Sequence, residues 1–122
     1  GGLYQWFEAM QYTTVEGSQG ICPAGWHIPT AEDFMELSQY SRDDLLVSGQ
    51  LTGNNSTGFT LLLSCFRGGD GVFYDYPFNL WSSTESSDLN ANTLYIDAEN
   101  NQVGIGSYSK EMGLPIRCIK DE

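Results

Sequence analysis

Helical and strand-like patterns occupy different parts of this chain, and that division constrains the fold more than any other sequence feature. Thr30 can cap a helix in which Phe34 and Leu37 recur at three-residue spacing, so a helix is predicted from Thr30 to about Tyr40. A strand at residues 3–7 running into a short helix at residues 8–12 is predicted. Because 122 residues suffice for one core, we expect a single α+β domain spanning residues 1–122, with early helices packed on a late antiparallel sheet.

Strand patterns dominate the second half of the chain. A second short helix at residues 43–51 and a turn at 52–58 come first, after which apolar or alternating runs replace the helical spacing. A glycine-dense turn at residues 67–71 separates the first two runs and predicts a hairpin. We expect long irregular loops between the strands. The predicted strands are residues 59–66, 72–74, 94–98, 103–107 and 116–119. A turn at residues 99–102 joins the third and fourth of them into a second predicted hairpin.

The chain is strongly acidic, with 16 Asp and Glu against 5 Lys and Arg and a formal net charge of −11. Such a surface repels phosphate backbones and anionic lipids, so no nucleic-acid partner is expected. No apolar run approaches the roughly 18 residues that span a bilayer, and the N-terminus lacks a signal-peptide pattern, so no direct membrane insertion is expected. The start at Gly1-Gly2 indicates a module excised from a longer protein.

The three cysteines leave two interpretations open. A bond between Cys22 and Cys118 would close a loop of almost the whole domain, which is worth about 4 to 5 kcal/mol in the chain-entropy model and implies an oxidising compartment. Alternatively, all the cysteines are reduced and pack as small apolar residues. Cys65, which lies in an apolar run, is expected to be a buried free thiol.

Several motifs occur together: LYQW at residues 3–6, GICPAGWHIPT at 20–30, WSSTE at 81–85 and RCIKD at 117–121. Their order and spacing resemble the Fibrobacter succinogenes major paralogous domain, and the resemblance covers essentially the whole chain. LLLSC at residues 61–65 departs from the usual family pattern, so the family gives no guide to the conformation of that segment.

The resemblance implies a C-type-lectin-like fold, related to formylglycine-generating enzymes and to variable proteins that retroelements diversify. Family members occur in secreted or surface-attached proteins, so an extracellular or cell-surface location is expected. The resemblance further implies that the segments around Trp26, Trp81 to Ser83, and Arg117-Cys118 build a scaffold. The segments between them would then carry changeable ligand contacts.

No catalytic or metal-binding pattern emerges. His27 is the single histidine, and the cysteines lack the spacing of a zinc site. The chain has no acid-Pro-Asn loop of the kind that holds calcium in sugar-binding relatives, although Asp88, Asp97 and Glu99 leave calcium binding open. We expect a non-enzymatic domain with no catalytic residue, metal ligand or cofactor, in which His27 is structural and Glu85 pairs with an arginine.

The changeable segments are rich in Tyr, Asn, Ser and Asp. Tyr supplies a large rigid contact at low entropic cost, and Ser and Asn supply adaptable hydrogen bonds, as in antibody paratopes. Turn formation alone also explains individual Asn, Ser and Asp residues, but their clustering with aromatics favours binding. The candidate ligand-binding residues are Tyr74, Asp75, Tyr76, Phe78, Asn79, Ser86, Ser87, Asp88, Asn90, Asn92, Tyr95, Asp97, Gln102 and Tyr108. The last four are expected at outward positions of the second hairpin.

These observations predict an extracellular recognition module of the adhesin or receptor-binding type. Its expected partner is a protein or glycan on a cell or on a phage or host surface, and its carrier is a pilus or a lipoprotein. The alternative is a structural or assembly module, in which the same face docks a neighbouring domain of a larger secreted or pilus-like complex.

Overall fold

The computed structural model describes residues 2–39, 66–74, 78–96 and 103–121. Within these ranges the strands form one three-stranded and two two-stranded antiparallel sheets beside two short helices, which confirms the α+β class. The two helices within these ranges have 4 and 7 residues, so neither could span a membrane. The elements in chain order are α1 (Trp6–Ala9), β1 (Trp26–His27), α2 (Ala31–Leu37), β2 (Phe66–Arg67), β3 (Phe73–Tyr74), β4 (Phe78–Glu85), β5 (Asn90–Ile96), β6 (Val103–Ser109) and β7 (Ile119–Lys120).

The largest sheet has the strand order β4-β5-β6, and one of its faces packs against α2. The register of β4 and β5 pairs Phe78 with Ile96 and Leu80 with Leu94, so these four side chains share a face. Phe34 of α2 is fully buried against them. We call this cluster the α2-side core; it fixes the helix on the sheet because large apolar side chains leave water on both partners.

The opposite face of the sheet packs against α1. Trp81 follows Leu80 along β4 and therefore points to the other side, where it joins Trp6 in a second cluster, the α1-side core. Both indoles are fully buried. Trp6 Nε1 donates to the Ser82 carbonyl at 2.8 Å, and Trp81 Nε1 donates to the Tyr4 carbonyl at 2.7 Å. Each large aromatic is thus buried with its one donor satisfied.

The first helix differs from the prediction. Glu8 was expected to begin it, but α1 already starts at Trp6, and the Glu8 carboxylate accepts a hydrogen bond from the Gln5 backbone at 3.1 Å, which stabilises the first turn. The helix was also expected to reach Tyr12. Gln11 and Tyr12 instead adopt φ values of 54° and 64°, in the left-handed region, so the helix cannot continue through them.

The second helix confirms the prediction at its start. Thr30 Oγ1 accepts from the Asp33 backbone at 3.1 Å, while Asp33 Oδ2 accepts from the Thr30 backbone at 2.9 Å, so both residues cap the free amides of the first turn. Phe34 carries the buried face. The helix ends at Leu37, and the predicted end at Tyr40 lies outside the described residues.

The strand predictions are partly confirmed. The hairpin turn at residues 67–71 is present between β2 and β3, and β5 and β6 form the predicted second hairpin. β4 is missing from the prediction, and the last strand is confined to β7, after residues 116–118. The predicted helix at 43–51, the turn at 52–58 and most of the apolar run at 59–66, including Cys65, lie outside the described residues.

The two ends of the domain are joined by a disulfide and by short strands. Cys22 and Cys118 are bonded, with Cα atoms 5.9 Å apart, which decides between the two interpretations of these cysteines. β1 and β7 pair next to this bond, with Trp26 opposite Lys120. Trp26, expected in the scaffold, contributes backbone pairing while its side chain stays 39% exposed.

Removing the disulfide should destabilise the domain strongly. The bond closes a separation of 96 residues, so replacing Cys22 and Cys118 by Ala should lower the free energy of unfolding by about 4 kcal/mol, because the unfolded chain regains its freedom. Urea denaturation measures the difference. A reducing agent should lower the stability of the parent and leave the double variant unchanged; a variant within about 1 kcal/mol of the parent would contradict the expectation.

The two strand glycines of β6 should respond in opposite ways to alanine. A Cβ on Gly106 would lie 2.8 Å from Thr93 Oγ1 and 3.2 Å from the Tyr108 ring, whereas no described atom lies within 4 Å of a Cβ on Gly104. Gly106→Ala should therefore cost about 1 to 3 kcal/mol of stability. Gly104→Ala is the matched control and should be neutral or stabilising. Thermal unfolding compares the two, and equal effects would argue against the close packing at Gly106.

Candidate functional site

The candidate ligand residues do not all fall within the described structure. Asp75, Tyr76, Asp97 and Gln102 lie outside the described residues, and Tyr74 is described only as backbone of β3. The other nine candidates lie on β4, β5, β6 and the β4–β5 turn. Their placement decides which of them share one surface.

Two candidates require correction because they are buried. Phe78 is 1% exposed in the α2-side core, and Asn79 is 2% exposed, with its Oδ1 accepting a hydrogen bond from Thr93 Oγ1 at 2.7 Å. Both belong to β4, a strand that was not among the predicted ones. A buried side chain with its partners already in place offers no surface to a ligand.

Three of the remaining polar candidates, Ser86, Asn90 and Asn92, form one surface together with Ser107. We call this surface the polar patch. Asn92 lies directly opposite Ser107 in the β5–β6 register, and Asn90 shares their face. Ser86 Oγ lies 2.6 Å from Ser107 Oγ, which joins the turn to β6. Ser86 and Ser107 are exposed and the two asparagines half-buried, so hydroxyl and amide groups face solvent together.

The turn beside the polar patch is held by its own hydrogen bonds. The backbone amides of Ser86 and Ser87 both donate to the Asn90 carbonyl at 3.1 Å. Ser87 Oγ in turn accepts from the backbone amides of Leu89 and Asn90 at 3.3 and 3.1 Å. These bonds fix the backbone while Ser86, Ser87 and Asp88 remain exposed, which is how a defined turn presents side chains to a partner.

The two tyrosine candidates whose side chains the structure describes, Tyr95 and Tyr108, lie on the other face of the sheet. Tyr95 pairs with Asn79 and Gly104, and Tyr108 pairs with Ala91, so both alternate with the polar patch. Tyr108, expected to point outward, packs instead against the α1-side core, and its neighbour Ser107 is exposed. The sequence did not single out Ser107, although the alternation of VGIGS at residues 103–107 carried the signal.

Lys110 is buried at the end of β6 and is the partner of Glu85. It is 5% exposed, and its Nζ donates to the Glu85 carboxylate and to the Asp88 carbonyl, the latter at 2.8 Å. The ammonium also lies 4.5 Å from the Trp6 ring centre and 4.9 Å from that of Phe7. Glu85 was expected to pair with an arginine, but its partner in the structure is Lys110. Because the same ammonium also binds the Asp88 carbonyl, Lys110 holds the β4–β5 turn against the end of β6.

The sequence motifs occupy the points where these elements join. Within GICPAGWHIPT, Cys22 forms the disulfide, Ile28 is fully buried and Thr30 caps α2. WSSTE forms the second half of β4. A model of the Fibrobacter succinogenes major domain (Fib_succ_major) matches residues 1–120.

The chain belongs to the Fibrobacter succinogenes major domain family. The match spans all the elements described above, from α1 to β7. Comparison with curated proteins and with solved structures finds no match.

His27 of this Fib_succ_major domain joins two segments as a structural residue. Its Nδ1 lies 2.6 Å from Asp121 Oδ1, and its Nε2 lies 3.3 Å from the Oδ2 of Asp33, the residue that caps α2. Burial lowers the pKa of His27, whereas the hydrogen bonds and negative charges of Asp121 and Asp33 raise it. The raising effects are larger together, so the pKa of His27 lies above its ordinary value of 6.5. Both ring nitrogens thus have carboxylate partners.

Metal ligation has no candidate in the described part of the chain. Within residues 2–39, 66–74, 78–96 and 103–121 no group of three or more His, Cys, Asp or Glu side chains could hold a metal ion. Of the three acidic residues that had left calcium open, Asp88 is exposed on the turn, while Asp97 and Glu99 lie outside the described residues.

The histidine should make stability depend on pH. Because the folded pKa is raised, protonated His27 contributes stability fully below the unfolded pKa of about 6.5, and this contribution is lost as pH rises through the folded pKa. Urea denaturation at about pH 5.5 and about pH 8.5 should show the parent losing more stability than His27→Gln between the two. Parallel pH profiles for the parent and the variant would contradict the assignment.

Proposed function

We propose that this domain is an extracellular ligand-recognition module of the adhesin or receptor-binding type, with a C-type-lectin-like fold. The observation that carries the proposal is the polar patch, in which Ser86, Asn90, Asn92 and Ser107 present hydroxyl and amide groups from two paired strands and a hydrogen-bonded turn. Hydrogen-bonding groups on a rigid frame lose little entropy on binding, which favours recognition.

The arrangement of the chain supports the finer fold assignment. An N-terminal segment bridges to the C-terminal region through Tyr4 and Leu114, two helices flank an antiparallel sheet, and a disulfide joins Cys22 near the start to Cys118 near the end. A domain closed in this way can carry long insertions between its strands without losing its frame, because the ends are tied to each other.

The disulfide supports an extracellular or cell-surface location. Bonds of this kind persist in oxidising compartments and are rare where thiols are kept reduced. With its net charge of −11 the module would act as a soluble head on a pilus or lipoprotein carrier. The proposed partner is a protein or a glycan on a cell or on a phage or host surface.

The polar patch also suits diversification of the kind that retroelements drive. Ser86 and Ser107 are exposed, and neither belongs to a core cluster. Substitution there is expected to leave the frame intact, because exposed positions without special packing change stability by only about 0.5 kcal/mol. The buried half of the same sheet face, under α2, would stay constant.

A single substitution tests whether the polar patch binds. Ser107→Arg places a long charged side chain across it, and Ala24→Arg makes the same charge change at an exposed turn position beside β1, on a different sheet. Both variants and the parent are screened on arrays of glycans and of surface proteins, with and without calcium. We expect the parent to bind a ligand, Ser107→Arg to bind it at least about 10-fold more weakly, and Ala24→Arg to bind it like the parent.

Other outcomes redirect the proposal. Tyr95→Ala lies on the opposite face of β5, so loss of binding in that variant alone would move the site to the other face. Binding that requires calcium would restore a metal site among residues outside the described ranges. If no array component binds the parent, the polar patch is not a recognition surface of this kind, and a structural or assembly role within a larger secreted complex becomes the better explanation.

A further inference from the structure

A groove runs along the side of the domain between α1, the β4–β5 turn and the end of β6. It has a volume of about 370 Å³ and is lined by Gln5, Phe7, Asp88, Leu89, Ser109, Lys110 and Glu111. A second depression of about 320 Å³ shares Gln5 and Glu111 with it and adds Glu8 and Arg67. The groove is large enough for one or two side chains of a partner, at the lower end of the sizes that ligand pockets show.

The walls of the groove are apolar. Leu89 is 77% exposed at the tip of the turn, and Phe7 is 39% exposed on α1, so both retain surface that a partner can cover. Phe7 stands edge-on to the buried Trp6 ring, with centroids 5.1 Å apart, which fixes its orientation. An aromatic ring beside an exposed aliphatic side chain makes a surface that gains free energy when an apolar group displaces water from it.

The charges at the rim are acidic and those at the floor are neutralised. Lys110 is engaged by the Glu85 carboxylate, the Asp88 carbonyl and the rings of Trp6 and Phe7, so its charge is compensated within the domain. Asp88 and Glu111 are exposed at the rim. In the adjoining depression Glu8 is also exposed, while Arg67 Nε donates to the Gly71 carbonyl at 3.3 Å.

We propose that this groove docks a basic stretch of a partner polypeptide, in which a Lys or Arg stands beside an aliphatic or aromatic residue. The apolar side chain would cover Phe7 and Leu89, and the cation would lie between Asp88 and Glu111. The net charge of −11 would attract such a segment over a distance. The groove is a contact site separate from the polar patch and does not rest on the function proposed for that patch.

The observed contacts favour a cation over an anion at this position. An anionic ligand would face Asp88 and Glu111, and Lys110 has its donors directed at Glu85 and the Asp88 carbonyl. A cation could bind here without Lys110 giving up either of these partners. The domain already holds one ammonium against the Phe7 ring, 4.9 Å from its centre, and 39% of Phe7 remains exposed for a second group.

The test is a selection of phage-displayed random heptapeptides on the whole domain, followed by titration of the enriched peptides. The groove variants are Leu89→Ser and Glu111→Gln, both exposed positions whose side chains lie outside the core clusters. Val15→Ser and Glu32→Gln, exposed elsewhere, are matched controls. Circular dichroism confirms that each variant is folded, and Ser107→Arg, which blocks the polar patch, is titrated in parallel.

We expect enriched peptides to carry a Lys or Arg next to an apolar residue and to bind the groove variants at least about 10-fold more weakly than the parent. The controls and Ser107→Arg should bind like the parent, and raising the salt from about 0.1 M to 0.5 M should weaken binding. Enriched peptides without net positive charge, equal binding to the groove variants, or no enrichment would overturn the proposal. Glycans that bind only when Leu89 is intact would assign the groove to a sugar instead.

Discussion

The second half of β4 is the segment on which the rest of the described structure depends. Its residues 81–85 are consecutive, yet each contacts a different part of the chain. Trp81 donates to the Tyr4 carbonyl, Ser82 Oγ donates to the Asn92 carbonyl at 2.7 Å, and Ser83 Oγ donates to the Ile28 and Pro29 carbonyls. Thr84 Oγ1 donates to the Glu16 carboxylate, and Glu85 forms an ion pair with Lys110. Alternation along an extended strand makes this possible, because successive side chains leave on opposite sides.

This arrangement explains why the candidate surfaces lie where they do. One face of the sheet is apolar where α2 packs on it and polar where α2 does not reach. The polar patch is this uncovered part of the face. The other face is occupied by the α1-side core, which leaves Tyr108 partly buried. The turn at residues 86–89 joins the two surfaces: Ser86 contributes to the polar patch, and Leu89 contributes to the groove.

Electrostatics separate the inside of the domain from its rim. The buried Lys110 forms an ion pair with the partly exposed Glu85, and its ammonium also contacts the Asp88 carbonyl and two aromatic rings, so the charge buried beneath the turn is paired. Excess acidic residues remain outside, at Asp88 and Glu111 among others. A partner with cationic groups would therefore meet uncompensated charge only at the surface, where binding changes little of the frame.

The sequence by itself determined the α+β class, the start of α2 at its Thr30 capping box, the β5–β6 hairpin and the family, because these depend on local patterns or on motifs of fixed spacing. It left open the Cys22–Cys118 bond, and it placed Phe78 and Asn79 among ligand contacts. Only the tertiary structure decided these points, since burial depends on which strand lies opposite and which helix covers the face. The sequence lists side chains, but strand register and packing decide which of them meet solvent.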